Sequence, residues 1–270
     1  MPKRAVSTWS LHRTLGKFKS PTSNANGGVA PVASPDPSAL ALLDLPAELE
    51  QRGYDTLHLC HFHLPSTTPD YLQQLRAAFA EHQIGLDALL IDDGDLSDPG
   101  QADRAEVWIG EWLQVAHTLG AKRARVGAGR SAPTPEKLAD SAVRLARLAE
   151  ANPGIRLVTE NWLGMMPDAD SVLSVLEATG DNVGLMIDLG NWSGPGKYDE
   201  LARIAPFAET CHAKCHFTGA NPDADDFRQS LQILKDINYT GPLALIYDGP
   251  SDDEWTNLDT EYTILREVFS

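Results

Sequence analysis

Eight short apolar runs punctuate this chain at near-regular intervals, each followed by an amphipathic stretch, and few architectures accommodate that alternation. The runs lie at 5–10, 56–60, 86–91, 123–126, 156–159, 184–187, 210–214 and 243–247. Runs of four to six apolar residues flanked by turn-forming residues read as strands buried on both faces, as in a parallel sheet. The intervening stretches read as helices at 39–52, 69–82, 102–119, 135–151, 168–179, 198–208, 225–237 and 252–268. In the fourth, Leu138, Ala142, Leu145 and Leu148 recur at spacings of three and four and share one face. Eight βα units in about 250 residues are the count of a single (β/α)8 TIM barrel spanning 1–270. An open doubly wound sheet is the competing arrangement, but the glycine fingerprint that cradles a dinucleotide is missing from the first βα turn. One segment breaks the repeat. Residues 17–37, rich in Ser, Pro, Asn and Gly, follow the first strand and read either as a lid over the barrel mouth or as a plain surface loop.

Composition narrows the function. A formal charge of -16 disfavours nucleic acid, whose affinity comes mainly from Lys and Arg releasing counterions. No run approaches the roughly 18 apolar residues of a membrane span, and MPKRAVSTWSLHRT is too quickly interrupted to read as a secretory signal. A cytoplasmic chain is expected, with small metabolites or metal cations as the better candidate partners and, as an open alternative, further copies of itself. Three cysteines suggest reduced thiols rather than a disulfide framework. Two of them lie in CHAKCH, residues 211–216, which reads as a stretched haem motif, a Cys/His zinc site or a barrel strand. The spacing is one residue too long for haem attachment. Strand alternation sends His212, Lys214 and His216 to one side and Cys211, Ala213 and Cys215 to the other, toward the helices.

In a barrel of this kind the chemistry gathers at the C-terminal ends of the strands, so polar residues closing an apolar run are the informative ones. Glu160, Asp188 and His212 each do so, on the fifth, sixth and seventh strands. Two oxygen ligands and one nitrogen suit a divalent ion such as Mn²⁺, Mg²⁺, Co²⁺ or Zn²⁺. Around them, His61 and His63 close the second strand on a shared face, with His63 the stronger candidate for contact with substrate or a second metal. Lys214, Asn191, Trp162 and Trp192 are further candidates for substrate contact, the tryptophans as apolar walls. His12, Asp92, Asp93 and Lys197 have weaker claims.

LVTENW, VGLMIDLGNW, CHAK and GPLALIYDG, in that order and spacing, resemble the sugar phosphate isomerase/epimerase family of xylose isomerase-like TIM barrels. The similarity runs from STWSLH to the last helix and is strongest over 155–250. It implies a divalent metal held by Glu, Asp, His and Glu from strands five to eight, of which the first three fall on Glu160, Asp188 and His212. The fourth does not transfer, because its position holds Ile246. In the epimerases that this family resembles, the first and last glutamates flank the substrate carbon, one removing a proton and the other returning it. An isoleucine can do neither. Asp248 lies on the same side of the strand, roughly 6–7 Å farther along, and is read as a rim ligand, a ligand through water, or a base. The endonuclease branch needs extra histidines on the third strand, where this chain has Ile91, Asp92 and Asp93. The resemblance therefore implies a metal-dependent isomerase or epimerase acting on a ketose or related sugar derivative, with Glu160 as base. A dehydratase or lyase acting on an inosose or keto-sugar, or a non-catalytic sugar-binding barrel, is the alternative.

Overall fold

The structure, a computed structural model, describes residues 4–16 and 39–270. Among them, eight parallel strands close on themselves: β1 (Ala5–Ser7), β2 (Thr56–Cys60), β3 (Gly85–Ile91), β4 (Arg123–Val126), β5 (Arg156–Glu160), β6 (Gly184–Asp188), β7 (Ala208–Cys215) and β8 (Leu243–Tyr247). Each pairs with its neighbours in chain order, and β8 returns to β1 through Ala5 opposite Ala244. Eight helices wrap them: α1 (Leu45–Gln51), α2 (Pro69–Glu81), α3 (Ala102–Leu119), α4 (Pro135–Ala151), α5 (Ala169–Thr179), α6 (Lys197–Ile204), α7 (Ala224–Asp236) and α8 (Glu254–Phe269). The chain is thus the expected (β/α)8 barrel. The segment 17–37, read as a lid or surface loop, lies outside the described residues.

Boundaries move where a local preference overrides apolar pattern. β1 stops at Ser7 rather than at 10, because Thr8–Leu11 form a 3-10 turn in which the Ser7 hydroxyl accepts from the Trp9 amide. Ser10 then fastens the turn to β8, donating to Leu245 O and accepting from the Tyr247 amide. Pro46 fixes the start of α1, six residues later than expected, since its ring suits only a first helical turn. Pro206 separates α6 from β7 in the same way, within a short 3-10 turn.

The outer faces of the strands and the inner faces of the helices form one large core, in which α4 contributes the expected Ala142, Leu145 and Leu148. Cys211, Ala213 and Cys215 lie in that outer core, so two of the three buried thiols face helices as small apolar groups. The barrel interior is a separate, smaller cluster of Cys60, Ala88, Leu90, Val158 and Met186.

Beneath that cluster, toward the strand N-termini, the interior is charged. A bulge between the pairings of Leu57 and His58 inserts Asp87 as an extra residue of β3, and bulges re-aim side chains in this way. Asp87 Oδ1 accepts from Arg123 Nη1 at 2.5 Å, and Oδ2 accepts from Thr210 Oγ1 at 2.8 Å and lies 3.0 Å from His58 Nε2. Glu209 bridges the same end, accepting from Arg156 Nε at 3.0 Å with Arg123 Nε at 3.5 Å. Burial disfavours charge on Asp87, but His58, Arg123 and Thr210 outweigh it and hold its pKa down at about 2.

Candidate metal centre at the barrel mouth

Three neighbouring strands deliver three ligand-type side chains to one point. Glu160 is the last residue of β5, Asp188 the last of β6, and His212 sits on β7 opposite Asp188. One ligand atom from each lies within 4.8 Å of the others, and all three residues are buried. His212 presents Nδ1 to both carboxylates, 3.1 Å from Glu160 Oε1 and 3.6 Å from Asp188 Oδ2. Burial opposes charge on this imidazole, but Glu160 and Asp188 prevail and raise its pKa to about 9. An imidazolium bridging two buried carboxylates shows that this point favours a cation, and the donor set fits a divalent ion.

The backbone around these ligands is fixed by side chains. Asn161 clamps Asp188 from both sides, donating through Nδ2 to Asp188 O at 2.9 Å and accepting the Asp188 amide at 2.7 Å. The Gly190 amide donates to Asp188 Oδ1 at 2.7 Å. Burial raises the pKa of Asp188, but His212, Lys214 and this amide bring it below the ordinary carboxylate value. Asn191 Nδ2 donates to Glu160 Oε1 at 3.2 Å.

Arg125, midway along β4, organises the far side. Its Nε lies 2.9 Å from Glu160 Oε2, its Nη2 donates to Asp92 Oδ1 at 2.6 Å, and its Nη1 donates to Ile91 O at 3.2 Å. The guanidinium also lies 4.7 Å from the centre of the Trp162 ring. A buried cation this fully paired fixes the orientation of its partners.

The open space above these residues, counted together with the solvent at its mouth, is about 350 Å³. Glu160, Asp188, His212, Trp162, Asn191 and Lys214 line it, and so do Trp9, Leu90, Asp92 and Arg125. Ile246 occupies the wall where the resemblance leads one to expect a second glutamate. Asp248 is not among the lining residues; its Oδ2 pairs with Lys214 Nζ at 2.7 Å, on the solvent side. Burial opposes charge on Lys214, but Asp188 and Asp248 outweigh it and keep its pKa above the usual lysine value. The lysine stem crosses Gly190 so closely that a Cβ there would sit 2.8 Å from Lys214 Cγ.

Several expected contacts fall elsewhere. Trp192 is buried beside the barrel and donates through Nε1 to Met166 O, away from the cavity. His61 and His63 do not share a strand face, because the chain leaves β2 at Cys60 and enters a 3-10 turn over His61–His63. His61 packs between Trp108 and Trp112 and accepts from the Asp92 amide. His63 bonds Thr8 Oγ1 at 2.8 Å and lies 3.2 Å from His12 Nδ1. Lys197 is paired with Asp226 on α7, and Asp93 with Arg130. Arg125, Trp9 and Asn161 were not anticipated as site residues. For Arg125 a signal exists: in a strand whose outer face is covered by helices, the polar alternates Arg123 and Arg125 have to point inward.

Comparison with known proteins agrees with this fold. The solved structures most like it include a xylose isomerase-like TIM barrel protein from Mycobacterium smegmatis in complex with magnesium, with TM-score 0.69 and 16% identity over 99% of this chain and 97% of that one. The D-psicose 3-epimerase with D-tagatose from Clostridium cellulolyticum H10 superposes with TM-score 0.64 and 15% identity, over 86% and 94%. The probable 3-DHS dehydratase AsbF, involved in petrobactin synthesis, from Bacillus anthracis gives TM-score 0.67 and 13% identity over 98% of each chain. At such identities the likeness is one of fold. None of the curated proteins matches the chain in sequence at a significant level. The xylose isomerase-like TIM barrel model matches residues 46–267, nearly the whole barrel, and the chain therefore belongs to that family.

Proposed function

We propose that the chain is a divalent-metal-dependent isomerase or epimerase that removes the proton α to the carbonyl of a ketose or related sugar derivative. The observation that carries this reading is the convergence of Glu160, Asp188 and His212 on one point beneath a polar and aromatic cavity. These three residues would hold the ion, with Mn²⁺, Mg²⁺, Co²⁺ and Zn²⁺ all suited to the donor set. When bound, the ion supplies Lewis acidity, polarising a carbonyl and its neighbouring hydroxyl.

The chain's own residues supply the remaining steps. Glu160 takes the α-proton, and Arg125 fixes its second oxygen so that the carboxylate keeps one orientation. Lys214, an ammonium held by Asp248, faces the same cavity and is the proton donor. Asp248 thus acts through Lys214. Trp9 and Trp162 exclude water from the sugar, and Asn191 hydrogen-bonds Glu160 at the cavity edge. The acidic chain is read as a cytoplasmic enzyme whose partner is a small sugar or polyol.

Ile246 favours a second reading. With an apolar group at the wall opposite Glu160, proton removal followed by loss of hydroxide from an inosose or keto-sugar needs no second carboxylate, and Lys214 can protonate the leaving oxygen. Solvent-deuterium exchange into a panel of ketoses and inososes tests both readings. The metal-loaded chain should exchange an α-proton, and Glu160→Gln should slow that exchange by about 10²–10⁴-fold. Elemental analysis should find one divalent ion per chain, lost in Asp188→Ala and His212→Ala. Exchange accompanied by loss of water selects the dehydratase. A chain that binds sugars but neither metal nor deuterium is a binding barrel, and the enzyme reading falls.

A further inference from the structure

His58 lies inside the barrel on β2, fully buried, and takes no part in the chemistry above. Its ring is 5.2 Å from that of His212, centre to centre, with the planes at 51°. Each ring has one nitrogen bonded or facing carboxylate and one buried nitrogen with no hydrogen-bond partner among the described residues: Nδ1 of His58 and Nε2 of His212.

The donor and acceptor directions in this region are dictated from below. Asp87 only accepts, and takes Arg123 Nη1 on one oxygen and Thr210 Oγ1 on the other. The His58 Nε2 at 3.0 Å must therefore carry its proton and donate to Asp87. That leaves His58 Nδ1 as a bare lone pair buried in the barrel interior. On His212 the metal-facing atom is Nδ1, which must be a lone pair to act as a ligand, so Nε2 carries the proton. One orphaned acceptor and one orphaned donor thus sit on adjacent rings, and a buried polar atom left unpaired is unfavourable.

We propose that His58, anchored by Asp87, is the positioning residue for His212: its Nδ1 accepts the Nε2–H of His212, directly or through one bridging water, and so holds His212 in the tautomer that presents Nδ1 to the metal. The line of hydrogen bonds then runs from Arg123 at the closed end through Asp87 and His58 to the ligand. Metal-bound histidines characteristically donate their second nitrogen to such a partner, and removing that partner costs 10–100-fold in metal affinity. This inference rests on the metal-centre reading of Glu160, Asp188 and His212.

The test uses Zn²⁺ as the probe, with affinity measured by competition against a chromogenic chelator and the tautomer read from long-range ¹H–¹⁵N correlations of the histidine rings. In the Zn²⁺-loaded parent chain His212 should show a protonated Nε2 whose proton exchanges slowly with solvent. His58→Phe fills the space but cannot accept; it should lose about 10–100-fold in Zn²⁺ affinity and the slow exchange of that proton. His58→Gln retains an acceptor and should recover most of both. A role in packing alone predicts the reverse order, Phe above Gln. If His58→Phe fails to fold, Asp87→Asn is read by the same two measurements and should weaken Zn²⁺ several-fold. Affinity within about threefold of the parent, with His212 Nε2 still slowly exchanging, overturns the proposal while leaving the metal centre intact. A parent chain that binds no Zn²⁺ overturns the metal centre itself, and this inference with it.

Discussion

Both ends of the barrel interior are charged, yet they are built to opposite purposes. At the closed end, each oxygen of Asp87 has a donor and Glu209 spans two arginines, so the charges answer one another. At the mouth, Glu160 and Asp188 converge on His212, whose Nε2 remains buried without a hydrogen bond among the described residues. Charge inside a barrel therefore does not mark a site. Convergence of like charges around a shared point does, because two carboxylates brought that close call for a cation between them.

The largest test of this contrast is in stability. Asp87→Ala removes the acceptor shared by Arg123, His58 and Thr210 and should destabilise the fold by about 3–5 kcal/mol, as breaking a buried pair does. Asp188→Asn at the mouth should cost the metal-free chain less, because Glu160 keeps its pairing with Arg125 and His212 when the Asp188 charge is lost. Chemical denaturation of the two variants checks this; equal losses would erase the distinction. The same pairing makes the closed end sensitive to acid. With Asp87 depressed to about 2, its contribution is complete above the unfolded value of 3.8 and is lost as pH falls toward 2.

Next in size is the effect of pH on metal binding. Because the two carboxylates hold His212 at a pKa of about 9, metal must displace a proton below that value. Affinity should rise about tenfold per pH unit from 7 to 9 and then level off, with close to one proton released at pH 7 in calorimetry across buffers of different ionisation enthalpy. In the metal-free chain the linkage has the raised-pKa sign: the stabilisation is complete below the unfolded value of 6.5 and disappears as pH passes through about 9.

The smallest effect belongs to a carboxyl that fits neither pattern. Glu261 on α8 is fully buried, and neither of its oxygens finds a partner among the described residues. Burial, reinforced by Asp248, pushes its pKa well above the ordinary value. The unfolded chain gains the charged form above about 4.5 while the folded chain resists it, so the group costs stability as pH rises. Glu261→Gln should stabilise by about 1–2 kcal/mol at pH 8 and by nothing below pH 4, checked by melting at both.

How far the sequence could be read follows from the same contrast. The barrel was legible because eight buried strands must be apolar on the side facing the helices. Glu160, Asp188 and His212 were legible because each interrupts an apolar run where a strand ends. Arg125 was missed although the alternation carried a signal, since RARV taken alone looks like a strand with one wet face; its arginines point instead into the barrel. His61 and His63 were assigned a common face by extending strand alternation past Cys60, where a 3-10 turn had already replaced it. Trp192 looked like Trp162 in sequence, each following a ligand strand, but only Trp162 faces the cavity. The closed-end network left the least trace, because Asp87 reaches the interior through a bulge.

That bulge also decides what β3 can carry at all. Asp87 and Asp92 are an odd number of residues apart, so an unbroken strand would turn one of them outward into the helices. With one extra residue, both acids face the barrel axis, Asp87 beneath the apolar cluster and Asp92 beside Arg125. A single inserted position thus lets one strand serve both the foundation and the mouth, and deleting a residue there would force it to give up one of them.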